Sequence, residues 1–256
     1  MSKRIALCAA VALCATPAAA SEWHWSVTPY LWATGVNLDV DVDNEPILAA
    51  DVSFSDLVED LDMAVMGRFE GRRGEWGFLG DTFFAGLSDE STSAARPPLP
   101  GGTKTESDLD TWIAEATAFW RPSGKEHGFD LLFGTRLLSM DLDVEVALPS
   151  PSTVETTVET SKTYLDGFVG ARWSAGFAKR WDIQLRGDVG AGGTELSWNA
   201  EASAGVFFDE QGRYTLRFGY RHLEFEFEDD DDVTIETDLA FYGPFVGFTF
   251  AWGDGA

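Results

Sequence analysis

The sequence predicts an all-β protein: a single closed antiparallel transmembrane β-barrel of about ten strands, with eight or twelve as the neighbouring solutions. Three observations predict it. Apolar residues alternate with polar or very small ones, most cleanly along Trp181 to Val189, Tyr214 to Tyr220 and Pro244 to Trp252. Short and longer connections alternate between such segments. The chain also opens with an export signal, in which Lys3 and Arg4 precede the apolar run Ile5 to Thr16 and Ala18-Ala19-Ala20 stand before Ser21. Backbone polar groups find no water inside a bilayer, so exported period-two strands that are apolar on one face must close into a barrel.

Taken in order, the elements are residues 1–20, a cleaved signal peptide, and residues 21–256, one barrel domain. Pro17 and the shortness of the apolar run argue against a membrane anchor, and Leu13 before Cys14 argues against lipidation. The first strand runs from Trp23 to about Gly35, with Trp25, Val27, Pro29, Leu31 and Ala33 on one face and Ser26, Thr28, Tyr30 and Thr34 on the other. Nine more follow at about Asp62 to Arg72, Trp76 to Leu87, Leu109 to Trp120, Phe129 to Asp143, Tyr164 to Ala178, Trp181 to Ala191, Trp198 to Phe208, Tyr214 to Phe227 and Ile235 to Trp252. The turns at 72–75, 121–128, 179–180 and 209–213 are short, whereas on the other side 36–61, 88–108 and 144–163 are long and two near 192–197 and 228–234 are shorter, broadly the habit of periplasmic turns and external loops. Within the ninth strand the apolar parity changes between Tyr220 and Leu223. A bulge near Arg221 or His222 accounts for this, and so does a strand that has left the membrane. Trp23, Trp25, Trp76, Trp120, Trp181 and Trp252 fall at strand ends on one side, as an interfacial aromatic girdle does.

Composition excludes several functions. The formal charge is -25 on 256 residues, which is unsuited to binding nucleic acid. With 45% hydrophobic and 13% aromatic residues the chain is nonetheless a folding one. Both cysteines, Cys8 and Cys14, lie in the signal, so disulfides, zinc-thiolate sites and cysteine nucleophiles are excluded from the mature chain.

The motifs TPYLW at Thr28 to Trp32, RGDVG at Arg186 to Gly190, GYRHLEFEF at Gly219 to Phe227 and GPFVGFTFAW at Gly243 to Trp252 resemble those of small bacterial outer-membrane barrels of the opacity-protein and outer-membrane-protein-A-like porin superfamily. The chain resembles more narrowly a group whose TPYLW first strand is followed by an FSDL segment, here Phe54 to Leu57. The resemblance implies residence in the outer membrane among lipid and lipopolysaccharide. It also implies recognition by the barrel insertion machinery through a last strand ending in aromatic residues, matched by Phe248, Phe250 and Trp252, with Gly253 to Ala256 following.

The register turns a charge network into the lumen: Arg68, Arg136, Arg172, Arg186, Arg217 and Arg221 against Glu70, Asp81, Glu115, Asp130, Asp166, Asp182, Asp188 and Glu201. Enclosed charges must be paired or wetted. The network is therefore either a salt-bridged plug in a structural barrel or the constriction of a narrow, weakly cation-favouring channel. Phe54, Leu57, Val58 and Leu61 recur at helical spacing, with Ser55 or Asp56 as cap, and predict a short helix acting as lid. The acids Glu228 to Asp232 are a solvated cluster, with Asp229, Asp230, Asp231 and Asp232 as weak metal ligands. No cofactor and no catalytic residue is predicted, and a monomer is favoured. The other readings are an enzyme modifying lipid or lipopolysaccharide, with His222 near Ser203 and Glu224, and an adhesion or ligand-binding barrel.

Overall fold

The computed structural model describes residues 23–42, 45–92, 104–147, 155–230 and 234–253. The proposed signal peptide lies outside them. Among the described residues are twelve strands and one short helix: β1 (Trp23–Trp32), β2 (Gly35–Val42), β3 (Glu45–Val52), α1 (Phe54–Glu59), β4 (Leu61–Arg73), β5 (Trp76–Thr92), β6 (Lys104–Trp120), β7 (Phe129–Ala147), β8 (Glu155–Ala178), β9 (Trp181–Gly192), β10 (Leu196–Phe207), β11 (Tyr214–Asp230) and β12 (Thr234–Gly253).

Ten of the strands close a barrel. β1 pairs with β4, the ladder runs through consecutive strands to β12, and β12 returns to β1, every pairing antiparallel. His24 faces Gly253, so both ends of the barrel chain sit at the same rim. The expected long connection at 36–61 instead contains β2, β3 and α1. β2 continues β1 along β12 without change of register, since Trp32 faces Phe245 and Gly35 faces Tyr242. The ladder lapses between them because the Ala33 amide donates to the Pro244 carbonyl while Pro244 has no amide to return the bond. Gly243 is required beside it, because a Cβ there would lie 2.0 Å from the Ala33 carbonyl oxygen.

The strands outrun a bilayer. β7, β8 and β12 have 19, 24 and 20 residues, against roughly 9–11 needed to cross tilted. The side chains show where crossing ends. Going up from the rim that holds the chain ends, the outward residues of β6 are Trp120, Ala118, Ala116, Ala114 and Trp112, then Asp110 and Asp108. On β11 they are Tyr214, Leu216, Phe218 and Tyr220, then His222, Glu224 and Glu226. Inward residues change in the opposite sense at the same height: Arg217 and Arg221 give way to Leu223 and Phe225, and Glu115 to Ile113. The lower half is thus apolar outside and charged inside, and the upper half is the reverse. Lipid outside the first and water outside the second is the arrangement that leaves neither surface mismatched.

This inversion explains the parity change in β11. No bulge is present, for β11 pairs with β12 in unbroken register from Tyr214 to Asp230. The strand simply emerges from lipid, and Leu223 and Phe225 become core. That upper core joins Tyr30, Trp32, Phe83, Ile113, Leu138, Leu239 and Phe241. The predicted strands at 76–87, 109–120, 129–143 and 164–178 are correspondingly longer in the structure, their upper ends forming hairpins above the bilayer.

Candidate functional site

At mid-height the lumen is crossed by one connected set of charges. Arg68 reaches Asp81 at 2.7 Å and Glu201 at 2.8 Å. Arg221 reaches Glu115 at 2.7 Å and Asp81 at 3.7 Å. Arg136 binds Glu115 at 3.0 Å and also Asp188, and Arg186 bridges the same two acids at 2.7 and 2.8 Å. Four arginines thus meet four carboxylates, so the knot is neutral, and Glu115 holds three guanidinium groups by itself.

Neutral groups complete it. The Tyr30 hydroxyl donates to Asp81 at 2.7 Å. Asn199 accepts from Arg221 at 2.9 Å and donates to Asp188 at 3.0 Å. Trp32 and Phe168 lie against the guanidinium groups of Arg221 and Arg136, 5.0 and 4.9 Å from ring centre to cation, adding cation–π attraction to buried cations.

Lower down, Arg172 binds Glu70 at 2.6 Å and Asp130 at 2.7 Å, and Arg121 binds Asp130 at 2.5 Å. Arg217 pairs with Asp182 at 2.6 Å. Asp166 stands apart from the arginines and instead accepts from the Thr194 amide and hydroxyl at 2.9 and 2.6 Å, holding the β9–β10 turn. Sequence reasoning missed Arg121, assigned to a turn, because a residue just past a strand end carries no alternation signal. Tyr30 was placed on the polar face without a partner.

Three spaces lie along the barrel interior. A vestibule of about 440 Å³ opens at the lower rim, lined by Arg72, Arg121, Gln184 and Arg217 among others. A smaller polar space of about 140 Å³ lies between it and the knot, with Tyr30 and Trp32 in its wall. Trp32 also lines a third space of about 220 Å³ in the upper barrel, whose remaining walls come from Val36, Met66, Ala85, Leu109, Met140, Phe241 and similar residues.

The helix that was expected as a lid borders this third space. α1 starts where the Ser53 carbonyl accepts from the Asp56 and Leu57 amides, each at 3.1 Å, and the Ser53 hydroxyl donates to the Asp56 carboxylate at 2.7 Å. The residue at the start is therefore Ser53, not Ser55 or Asp56, and Leu61 belongs to β4. Phe54, Leu57 and Leu61 line the space, and the Val58 side chain lies outside the described residues.

Other candidates separate. His222 faces outward, stacked on Trp198 at 4.5 Å and 2.8 Å from Glu224, whereas Ser203 points into the lumen within 3.1 Å of Arg217. Side chains on opposite faces of the wall cannot form a serine–histidine pair. Asp229 and Asp230 end β11, and Asp231 and Asp232 lie outside the described residues. Among the described residues no histidine and carboxylate group is arranged to hold a metal ion. Phe248, Phe250 and Trp252 all lie on the outward face of β12.

No protein-family model and no curated protein matches the chain. Solved structures do. The attachment invasion locus protein Ail of Yersinia pestis aligns at 13% identity and TM-score 0.33, over 90% of this chain and 100% of that one. The outer membrane protease OmpT of Escherichia coli aligns at 6% identity and TM-score 0.44, over 90% and 97%. The toluene transporter TodX of P. putida aligns at 8% identity and TM-score 0.37, over 92% and 91%. The fold, a closed ten-stranded antiparallel β-barrel, rests on this chain's own strand pairing. The likeness extends to fold alone, and the three proteins differ from one another in role.

Above the bilayer the outer surface of this barrel is crowded with acids. Burial raises the Asp110 carboxyl above its ordinary value, helped by Asp141, Asp108, Asp143 and Asp62. Burial does the same for Asp238, with Glu224, Asp39, Asp41 and Glu236 adding to it. A carboxyl whose folded-state pKa is raised favours the fold when protonated, so this contribution is complete below the ordinary carboxylate range and is lost as pH rises through the raised values. The thermal unfolding midpoint is therefore expected to rise as pH falls from 8 towards the ordinary carboxylate range. Asp110→Asn with Asp238→Asn should flatten that dependence; an unchanged slope would show that these two acids do not set it.

Proposed function

We propose that the chain is an integral protein of the bacterial outer membrane whose lumen is closed to ions, a structural barrel rather than a passive channel. The observation that carries this reading is the neutral knot of Arg68, Arg136, Arg186 and Arg221 with Asp81, Glu115, Asp188 and Glu201. An ion would have to displace paired guanidinium and carboxylate groups, and the apolar core directly above offers it no replacement ligands. The outward aromatic series of β12 and the tryptophans at the lower rim support insertion with that rim towards the periplasm.

Conductance tests it. The refolded protein in planar bilayers is expected to give no steps, with or without deletion of Phe54 to Leu61. Discrete steps from folded full-length protein would overturn the closed reading, and steps seen only after deletion would move the seal from the knot to α1.

A further inference from the structure

The barrel wall is incomplete beside the upper space. β4 is bonded to β1 only between Trp23–Arg73 and Pro29–Gly67, and β3 pairs with β2 alone. Leu61 to Met66 of β4 therefore have no ladder on their β1 side and β3 has none beyond β2, and this unpaired stretch is a seam whose two strands α1 links. The break is visible in the bonding of Trp32, whose backbone amide donates to the Met66 sulfur at 3.1 Å and not to a strand carbonyl.

The space behind the seam is largely apolar, with Thr34, Thr111 and Trp32 as the lining residues that carry polar side-chain N or O atoms. None of its lining residues is charged. The polar atoms nearest its floor are already bonded, Trp32 Nε1 to the Gly243 carbonyl at 3.1 Å and Thr34 Oγ1 to the Trp32 carbonyl at 3.2 Å. Met66, Ala85 and Met140 pack against the upper core on one side, yet they and Ala64 are only half-buried, because they also border this opening. The outer face of β4 at the seam and of β1 beside it is apolar as well: Met63, Val65 and Leu31 are 55%, 53% and 68% exposed.

We propose that this chamber is a binding site for a small uncharged hydrocarbon, admitted between β3 and β4 and covered by α1. An apolar cavity of roughly 150 Å³ already takes a benzene-sized ligand, and this one measures about 220 Å³. A single aromatic ring or a short alkyl chain fits its size, while any charged head group would meet no partner there. The site stands independently of whether the lumen conducts, since it lies above the knot.

The methionines make the test direct, for Met66 and Met140 line the chamber while Met63 faces outward. The refolded protein, labelled with 13C at its methionine methyl groups and held in nanodiscs of deuterated lipid, is titrated with benzene. The expected result is a saturable shift of the Met66 and Met140 methyl signals beside a merely linear drift at Met63. Ala85→Phe on β5 or Ala64→Phe, its cross-strand partner on β4, each filling the chamber from that wall, should abolish the saturable part in protein whose heat-modified gel mobility shows it folded. A linear drift at all three methionines would overturn the site, because it reports only benzene dissolved in the bilayer. Saturation that survives both filled variants would overturn it too, by placing the ligand elsewhere. Phe54→Ala with Leu57→Ala should leave binding in place and speed ligand exchange several-fold, and an unchanged exchange rate would remove α1 from the path.

Discussion

Glu115→Ala is expected to lower the stability of the barrel by about 3–5 kcal/mol, the largest effect of any single lumen substitution. Glu115 Oε1 accepts from Arg136 at 3.0 Å and from Arg221 at 2.7 Å, and Oε2 accepts from Arg186 at 2.7 Å. Its removal leaves three buried guanidinium groups without the carboxylate they share; of these, Arg136 is only 1% exposed. Glu115→Gln keeps the volume and loses the charge, so it should fall between the two. Urea titration of the folded, heat-modifiable form in lipid vesicles measures both. As a contrast, Arg213→Ala breaks a pair with Asp209 at the exposed lower turn, and no change in midpoint is expected there because solvent screens it. If Glu115→Ala stays within about 1 kcal/mol of the parent, far short of the 3–5 expected for a dry network, the knot is wetted and the closed reading of the lumen falls with it.

Trp32→Ala is the second large effect, expected at about 3–5 kcal/mol for loss of a buried aromatic side chain. Trp32 is 2% exposed, its ring meets Phe83 edge-on at 5.5 Å, and it lies 5.0 Å from the Arg221 guanidinium. It also stands between the polar space below and the apolar chamber above, lining both. The alanine variant should therefore be less stable and also leaky, showing brief conductance steps in planar bilayers where the parent shows none. Trp32→Phe keeps the partition and loses the bond to Gly243, so it should be milder in stability and silent in conductance. Equal leakiness of the two would mean that the indole bond, and not the bulk of the ring, keeps the spaces apart.

Much of the fold was legible because barrel strands report themselves twice, through alternation and through loop lengths. The ten closing strands, and the inward direction of Arg68, Glu115, Arg186 and Glu201, follow from parity once a strand is recognised. Parity says only which wall face a residue occupies. It carries no information on which of eight carboxylates an arginine across the lumen will reach, and so Glu115 was not distinguishable from Asp166, which holds a turn. The parity change near Arg221 was visible too, but its cause was open between a bulge and an emerging strand. Only the unbroken β11–β12 register decided it.

The sequence by itself determined an acidic β-barrel whose two cysteines both precede residue 21, because local alternation and composition are properties of neighbouring residues and survive without any knowledge of long-range contacts. The tertiary structure decided what the interior does. Residues as distant in the chain as Arg68 and Glu201, or Val36 and Met140, become neighbours only when the sheet closes. Closure places the neutral knot at mid-height, the inverted apolar core above it and the seam beside β3. Their positions follow from barrel stagger and strand length, which no stretch of sequence records.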